Sequence, residues 1–381
     1  MHFPHLCFRS FLTCAAALSA SSVFAATSYW DTSTAAGLQG GSNTWDASVW
    51  ATSTAGTALG PWVGGNVAEF QAIPASTDTI TVNAQQSISG LTFGVTGGAT
   101  GNWVLQGAGL ALSAPTTVNV AGASSSVTIG NVISGTSGLS LTGSGKLVLT
   151  GANTYAGGTV LQAGVSGLSA VLNVLQVNGS IVGPVTVNSN SLLAGTGSVG
   201  AVTVLANGSL DAGTVGLLNV GQVGAMTVAS MQLQGGSRVR WNMANATQAA
   251  GVGYDKFNVT GAVDLSGLTS ANKLQLQLSG APVVFDSTKN TTFTLMSYGS
   301  LNLGTNTSLS GLYVVDTTSL KDASGGPVNA ANFTLNNNTT SKTLELVYTA
   351  VVPEPSTYGL GLGLLSVVVV VVRRRHGVRR A

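Results

Sequence analysis

"GPVTVNSNSLLAGT" (Gly183–Thr196) and "GAVTVLANGSLDAGT" (Gly200–Thr214) follow one another in the chain and align once a single residue is inserted, a period of 17 to 18. A unit this short cannot form a propeller blade. It suits one coil of a parallel β-solenoid, whose apolar side is buried only by stacking on neighbouring coils. Within each copy apolar residues alternate with polar ones and Gly then interrupts them. The same pattern recurs at Thr117-Val118-Asn119-Val120, Lys146-Leu147-Val148-Leu149-Thr150 and Leu274-Gln275-Leu276-Gln277-Leu278. A period of two with turn punctuation, and no helical segment between, predicts almost pure β structure. Asn178-Gly179 and Asn207-Gly208 supply tight corners, with hairpin turns as the alternative.

Composition agrees. Only 7% of the 381 residues are charged, 44% are apolar and 51 are Gly; low charge with this much apolar content folds rather than staying disordered. From Thr27 to Val352, eight Lys and Arg face eleven Asp and Glu, a net of −3, because five of the eight arginines lie in the last nine residues. No basic patch is available to follow a phosphate backbone, so nucleic acid is excluded as a partner. Cys7, Cys14, His2 and His5 fall in the first 14 residues, and His376 in the last six. The body therefore has no disulfide, no thiolate nucleophile, no Cys or His zinc site and no Ser-His-Asp triad, and the reading assigns neither metal nor cofactor. Gly195-Thr196-Gly197-Ser198-Val199-Gly200 spells a dinucleotide fingerprint, but Val202-Thr203-Val204 follows as a strand where that motif requires a helix.

The two ends read as addresses. "MHFPHLCFRSFLTCAAALSASSVFA" carries Arg9, an apolar stretch over 11–18 and Val23-Phe24-Ala25, which predicts a signal peptide cut between Ala25 and Ala26. At the other end, Tyr358 to Val372 form 15 uncharged, mostly apolar residues, a helical rod about 22 Å long. Spanning the bilayer then needs local thinning or snorkelling arginines. Arg373, Arg374 and Arg375 make the membrane stop, which keeps the body outside the cytoplasm. Two prolines in Pro353-Glu354-Pro355 hold the segment before the rod extended, as a protease handle would. A plain linker before an anchor gives the same topology without the cut.

This order, Pro-Glu-Pro followed by Ser356, an apolar rod and a basic cluster, resembles the C-terminal signal of PEP-CTERM proteins of Gram-negative bacteria. The resemblance covers about 29 residues. It implies export by the general secretion machinery, a membrane-held intermediate, and processing near Pro353, Glu354 and Pro355 by an exosortase. Delivery to the cell surface or matrix, often alongside exopolysaccharide, follows.

"ISGTSGLSLTGSGKLVLTGANTYAGGTVLQAG" (Ile133–Gly164) is similar to the autotransporter-associated β-strand repeat, with Gly151-Ala152-Asn153-Thr154-Tyr155-Ala156-Gly157-Gly158-Thr159 matching almost residue for residue. That resemblance implies a right-handed β-helix of the passenger kind. One apolar rod follows where an autotransporter carries an outer-membrane barrel, so self-secretion is not expected.

The expected architecture is all-β, a right-handed parallel β-solenoid. Residues 1–25 are a signal peptide, and 26–132 an N-terminal solenoid whose Trp-rich stretch from Tyr29 to Trp62 caps the first open coil, with stacking on sugars as the alternative. Residues 133–164 are the repeat and 165–230 further coils. Residues 231–350 are a Leu-rich region acting as a cap or a small sandwich, with a boundary near Met231. Residues 351–381 are the sorting signal, with its transmembrane helix at 358–372 and basic tail at 373–381. The function expected is a non-enzymatic structural or adhesive surface protein. The alternatives are a carbohydrate-binding or carbohydrate-degrading β-helix, for which Arg238, Arg240, Asp255, Lys256 and Asp264 are the only local concentration of charge, and an ice-binding face. The Thr positions 186, 203 and 227 are spaced too unevenly for a regular array.

Overall fold

The computed structural model describes residues 25–94, 101–164, 173–216, 221–280 and 284–350. The signal segment up to residue 24, Pro353 to Pro355, the apolar rod and Arg373 to Arg375 lie outside the described residues. Among those described, the regular structure is strand except for one 3-10 turn, Ala330–Asn332, and no helix is long and apolar enough to cross a membrane.

One coil shows how the sequence builds the whole. Ser126–Ile129, Ile133–Ser134 and Leu139–Gly143 are three successive strands on three faces. Lys146–Leu149, Ala152–Asn153 and Thr159–Leu161 then repeat the circuit. Lys146–Leu149 pairs in parallel with Ser126–Ile129 before it and Asn173–Val177 after it. Leu139–Gly143 pairs in parallel with Thr159–Leu161. Alternation decides which side chains go in: Leu139, Leu141, Leu147, Leu149 and Leu161 point to the interior and are buried. Each such side chain contributes about 2 kcal/mol, but only when the coils above and below remove it from water.

The ladders gather into one 11-stranded sheet and one 20-stranded sheet. The larger sheet is folded lengthwise into two faces, because some strands run through the bend. Gln86–Phe93 is one of these: its 86–88 half pairs with 110–112 and its 90–93 half with 117–120, with a register shift between them. The result is a three-faced parallel β-solenoid.

The 17-residue repeat behaves differently from the simple alignment. Val185, Thr186 and Val187 pair with Val202, Thr203 and Val204 at an offset of 17, and Leu192 and Leu193 pair with Ser209 and Leu210 at the same offset. The inserted residue is not taken up in the ladder. Shifting by one would turn Leu193 outward; the observed register puts Leu193 and Leu210 together in the core. Elsewhere the coils are longer, 20 residues from Leu139 to Thr159 and 37 from Arg238 to Gln275. Of the two expected Asn-Gly corners, Asn207 is left-handed (φ 60) and Asn178 is not. The other left-handed asparagine is Asn190 (φ 56), whose N–H donates to Asn207 O. Gly179 serves close approach instead, since a Cβ there would lie 2.2 Å from Gly151 O. Neither pair makes a hairpin; the flanking strands pair across coils.

Both ends are closed by antiparallel pieces. Trp50–Ala51 pairs antiparallel with Thr27–Trp30 and with Leu59–Gly60. At the far end Thr343–Tyr348 pairs antiparallel with Thr291–Ser297 and Phe333–Asn338. Ala225–Leu233 runs unbroken across Met231, and parallel rungs continue to Tyr313–Leu320. The Leu-rich region is thus mostly more coil, closed by a hairpin on the edge of the existing sheet.

Candidate functional site

Five features of the coil carry functional groups, and the repeat at Ile133–Gly164 is the first. Asn153 is buried, with Oδ1 accepting from Ile133 N (2.9 Å) in the preceding coil and Nδ2 donating to Ser180 O (3.0 Å) in the following one. Tyr155 is buried and shares a 2.6 Å bond with Thr159 Oγ1, and burial pushes its phenol up to about 12. A Cβ on Gly157 would lie 2.2 Å from Gly138 N. The motif residues thus join three coils at one corner, and their role is to stack.

The charge concentration is drawn apart by the fold. Asp255 is fully buried, while Lys256 and Asp264 are partly exposed on strands of the larger sheet. Asp264 accepts from Gln232 Nε2 and Asn302 Nδ2, and Arg238 donates to Asn207. What Asp255 meets is Asp211, which the sequence reading missed; both are wholly inside. Asn242 lies between them, its Nδ2 donating to Asp211 Oδ1 (3.0 Å) and Asp255 Oδ2 (2.7 Å). Asp211 Oδ1 also accepts from Gly213 N, and Asp255 from Gly224 N and Asn242 N. Gly213 and Gly224 begin and end one excursion from the coil; Asn242 and Asp255 begin and end the next. The network is a clasp across the mouths of two consecutive loops.

Burial pushes Asp255 up to about 8, with the neighbouring Asp211 charge adding to it. Burial also pushes Asp211 up, to about 6, against the pull of Arg240. Arg240 Nε stands 3.8 Å from Asp211 Oδ2, beyond hydrogen-bond reach, and that oxygen has no hydrogen bond among the described residues. A glycosidase pair must reach a substrate. These carboxylates are sealed in, and a Cβ on Gly221 would already be 2.5 Å from Asp211 Oδ2.

The start of the excursion after Asp211, up to residue 216, lies on the outside of the 11-stranded sheet. Val215 packs with Val174, Leu192 and Ala194 in a small second core. Its N–H donates to Gln176 Oε1 (3.0 Å) and its carbonyl accepts from Lys146 Nζ (2.9 Å). Desolvation lowers the Lys146 ammonium below its ordinary value.

The tryptophans close the first coil. Trp30, Trp45 and Trp50 are buried, and Trp50 lies 5.2 Å from Trp30 and 4.7 Å from Trp62 between ring centres. The indole N–H groups of three of them donate to backbone carbonyls, Trp30 to Gly41, Trp50 to Trp45 and Trp62 to Ser87, while that of Trp45 is buried with no acceptor among the described residues. Beside them a cleft of about 610 Å³ is lined by Thr27, Tyr29, Trp50, Thr52, Leu59 and Asn66 among others. Ala25 and Ala26 are exposed, just ahead of Thr27–Trp30.

Thr186 and Thr203 stack on adjacent rungs, but Thr203 is followed by Gln232 and Thr227 pairs with Ser198, so the rank of threonines is two rungs long.

Comparison with known proteins agrees with the first of these features. The model of the passenger-associated-transport-repeat family matches residues 139–165, within one residue of the end of the stretch singled out from the sequence. A 173-residue stretch, 44% of the chain, is 32% identical to the adhesin BmaC autotransporter of Brucella suis biovar 1 (strain 1330), covering 5% of that protein. A 91-residue stretch, 24% of the chain, is 38% identical to an extracellular serine protease of Serratia marcescens, covering 8% of it. The chain spans only a small part of the length of these curated relatives. It carries an autotransporter-type repeat on an all-β coil.

Proposed function

We propose that this chain is an exported, non-enzymatic surface protein of the adhesive passenger type, its coil held outside the cytoplasm as a polar rod. The observation that carries this reading is the transport-associated repeat at residues 139–165, set within a stack of parallel rungs, and a 173-residue stretch of the chain is similar to a relative named as an adhesin. The similarity to a secreted serine protease fits the same coil, and residues 26–350 contain no histidine with which to build a Ser-His-Asp triad. The coil is right-handed, as the crossover rule for parallel strands favours.

Delivery follows the two ends. The N-terminal segment is removed after Ala25, general secretion carries the chain across, and the rod before Arg373, Arg374 and Arg375 holds it in the membrane. An exosortase then cuts near Pro353-Glu354-Pro355 and passes the body to the surface, next to exopolysaccharide. The test is a deletion strain complemented with the gene. Protease added to intact cells should degrade the protein, and deletion should lower attachment of cells to a surface or to each other. Protection of the protein in intact cells, or unchanged attachment, contradicts the reading.

A further inference from the structure

The cleft beside the first strand exists because the cap stops short. Thr27–Trp30 pairs with Trp50–Ala51 only at Tyr29 and Trp30; beyond Ala51 the chain turns away at Thr52 and returns as Leu59–Gly60. The gap opens along Thr27 and Ser28 and has a volume of about 610 Å³, within the range of small-ligand sites.

Its lining has a definite chemistry. No Asp, Glu, Lys, Arg or His borders it. Leu59, Pro61 and Val63 form an apolar wall, with Val63 59% exposed. Tyr29 supplies the aromatic surface, with the buried Trp50 beneath the floor. The hydroxyls of Thr27, Tyr29 and Thr52 make no hydrogen bond within the described protein, and Asn66 spends only its Nδ2, on Ser28 Oγ at 2.9 Å. Unspent hydroxyl and amide groups around aromatic and aliphatic surface suit a ligand that is itself apolar on one face and hydroxylated at its rim.

From this we infer that the cleft is a binding site for a neutral saccharide, one or two sugar rings deep, with the ring of Tyr29 as the stacking surface and the Tyr29 hydroxyl, Thr27, Thr52 and Asn66 as hydrogen-bonding partners. An acidic sugar would find no cation. An extended peptide would find an unpaired strand edge only two residues long, too short for the main-chain ladder that strand addition requires. The buried cap tryptophans are then the support of the site, and Tyr29 its working aromatic. The inference rests on the surface-protein reading for its setting alone, because binding is measured on purified protein and surface location on cells.

The test titrates the purified full-length chain by calorimetry with neutral hexasaccharides of glucose, mannose and galactose, with an acidic oligogalacturonate, and with a Val-Thr repeat peptide. At least one neutral hexasaccharide should bind at millimolar concentration or below. Thr52→Arg, on the exposed rim, should weaken it about tenfold or more while β-sheet circular dichroism is unchanged. Tyr29→Phe should weaken it about 2- to 10-fold, the loss of one hydrogen bond. Failure of every neutral probe, binding of the acidic sugar or the peptide instead, or full affinity in Thr52→Arg would overturn the inference.

Discussion

Replacing Asp211 by Asn should make the protein less sensitive to alkali. In the native state both buried acids hold protons more tightly than an ordinary Asp: burial lifts Asp211 to about 6, and burial with the Asp211 charge lifts Asp255 to about 8. Because both folded values are raised above the unfolded value of 3.8, the stability linked to these protons is fully present below that value. It is lost as pH rises through the folded ones. Each proton held by the native state and already released by the unfolded chain contributes a slope of about 1.4 kcal/mol per pH unit. Asp255 alone therefore predicts a loss of about 2 kcal/mol between pH 6 and pH 8, the slope flattening as its own proton leaves. Asn at 211 keeps an oxygen to accept from Gly213 and Asn242 and removes the like charge that raises Asp255. Urea unfolding at steps across this window should show a shallower slope for Asp211→Asn, with the variant gaining on wild type at the alkaline end and not at the acid end. A flat wild-type profile, or equal slopes, would refute the clasp as described.

Three further outcomes follow from packing. Gly157→Ala should destabilise by about 3 kcal/mol or more, because its Cβ meets the Gly138 backbone at 2.2 Å and backbone cannot yield as a flexible side chain does; thermal unfolding by circular dichroism reads it. Tyr155→Phe should cost about 1 kcal/mol through the lost bond to Thr159, and an unchanged denaturation midpoint would deny that bond its role. Val215→Asp should lift the excursion from Val174, Leu192 and Ala194 and raise binding of an apolar dye while the sheet signal persists; dye binding equal to wild type would show that the excursion does not cover that patch.

Much of the coil was legible in the sequence because strand periodicity and glycine punctuation are local. Leu147 and Leu149 against Lys146 is a pattern that needs no tertiary knowledge. Register was not legible: the inserted residue between the two 17-residue units left Leu192 and Leu193 equally suited to face inward, and only pairing across coils put Leu193 inside. The clasp was half visible. Asp255 stood out among the few charges, but Asp211 lies 44 positions earlier, at the end of the strand Ser209–Asp211, and only stacking of long excursions joins the two. The second core had a signal that went unused. Asn173–Val177 and Ser191–Ala194 are buried at every position, and runs that lose alternation mark strands covered on both faces.

Intact mass spectrometry of the protein recovered from the surface or medium of its native host reads both processing sites at once. The expected species begins at Ala26 and ends near Pro353, without Arg373 to Ala381. A single cell-associated species that still carries Met1 and the arginine tail would contradict it.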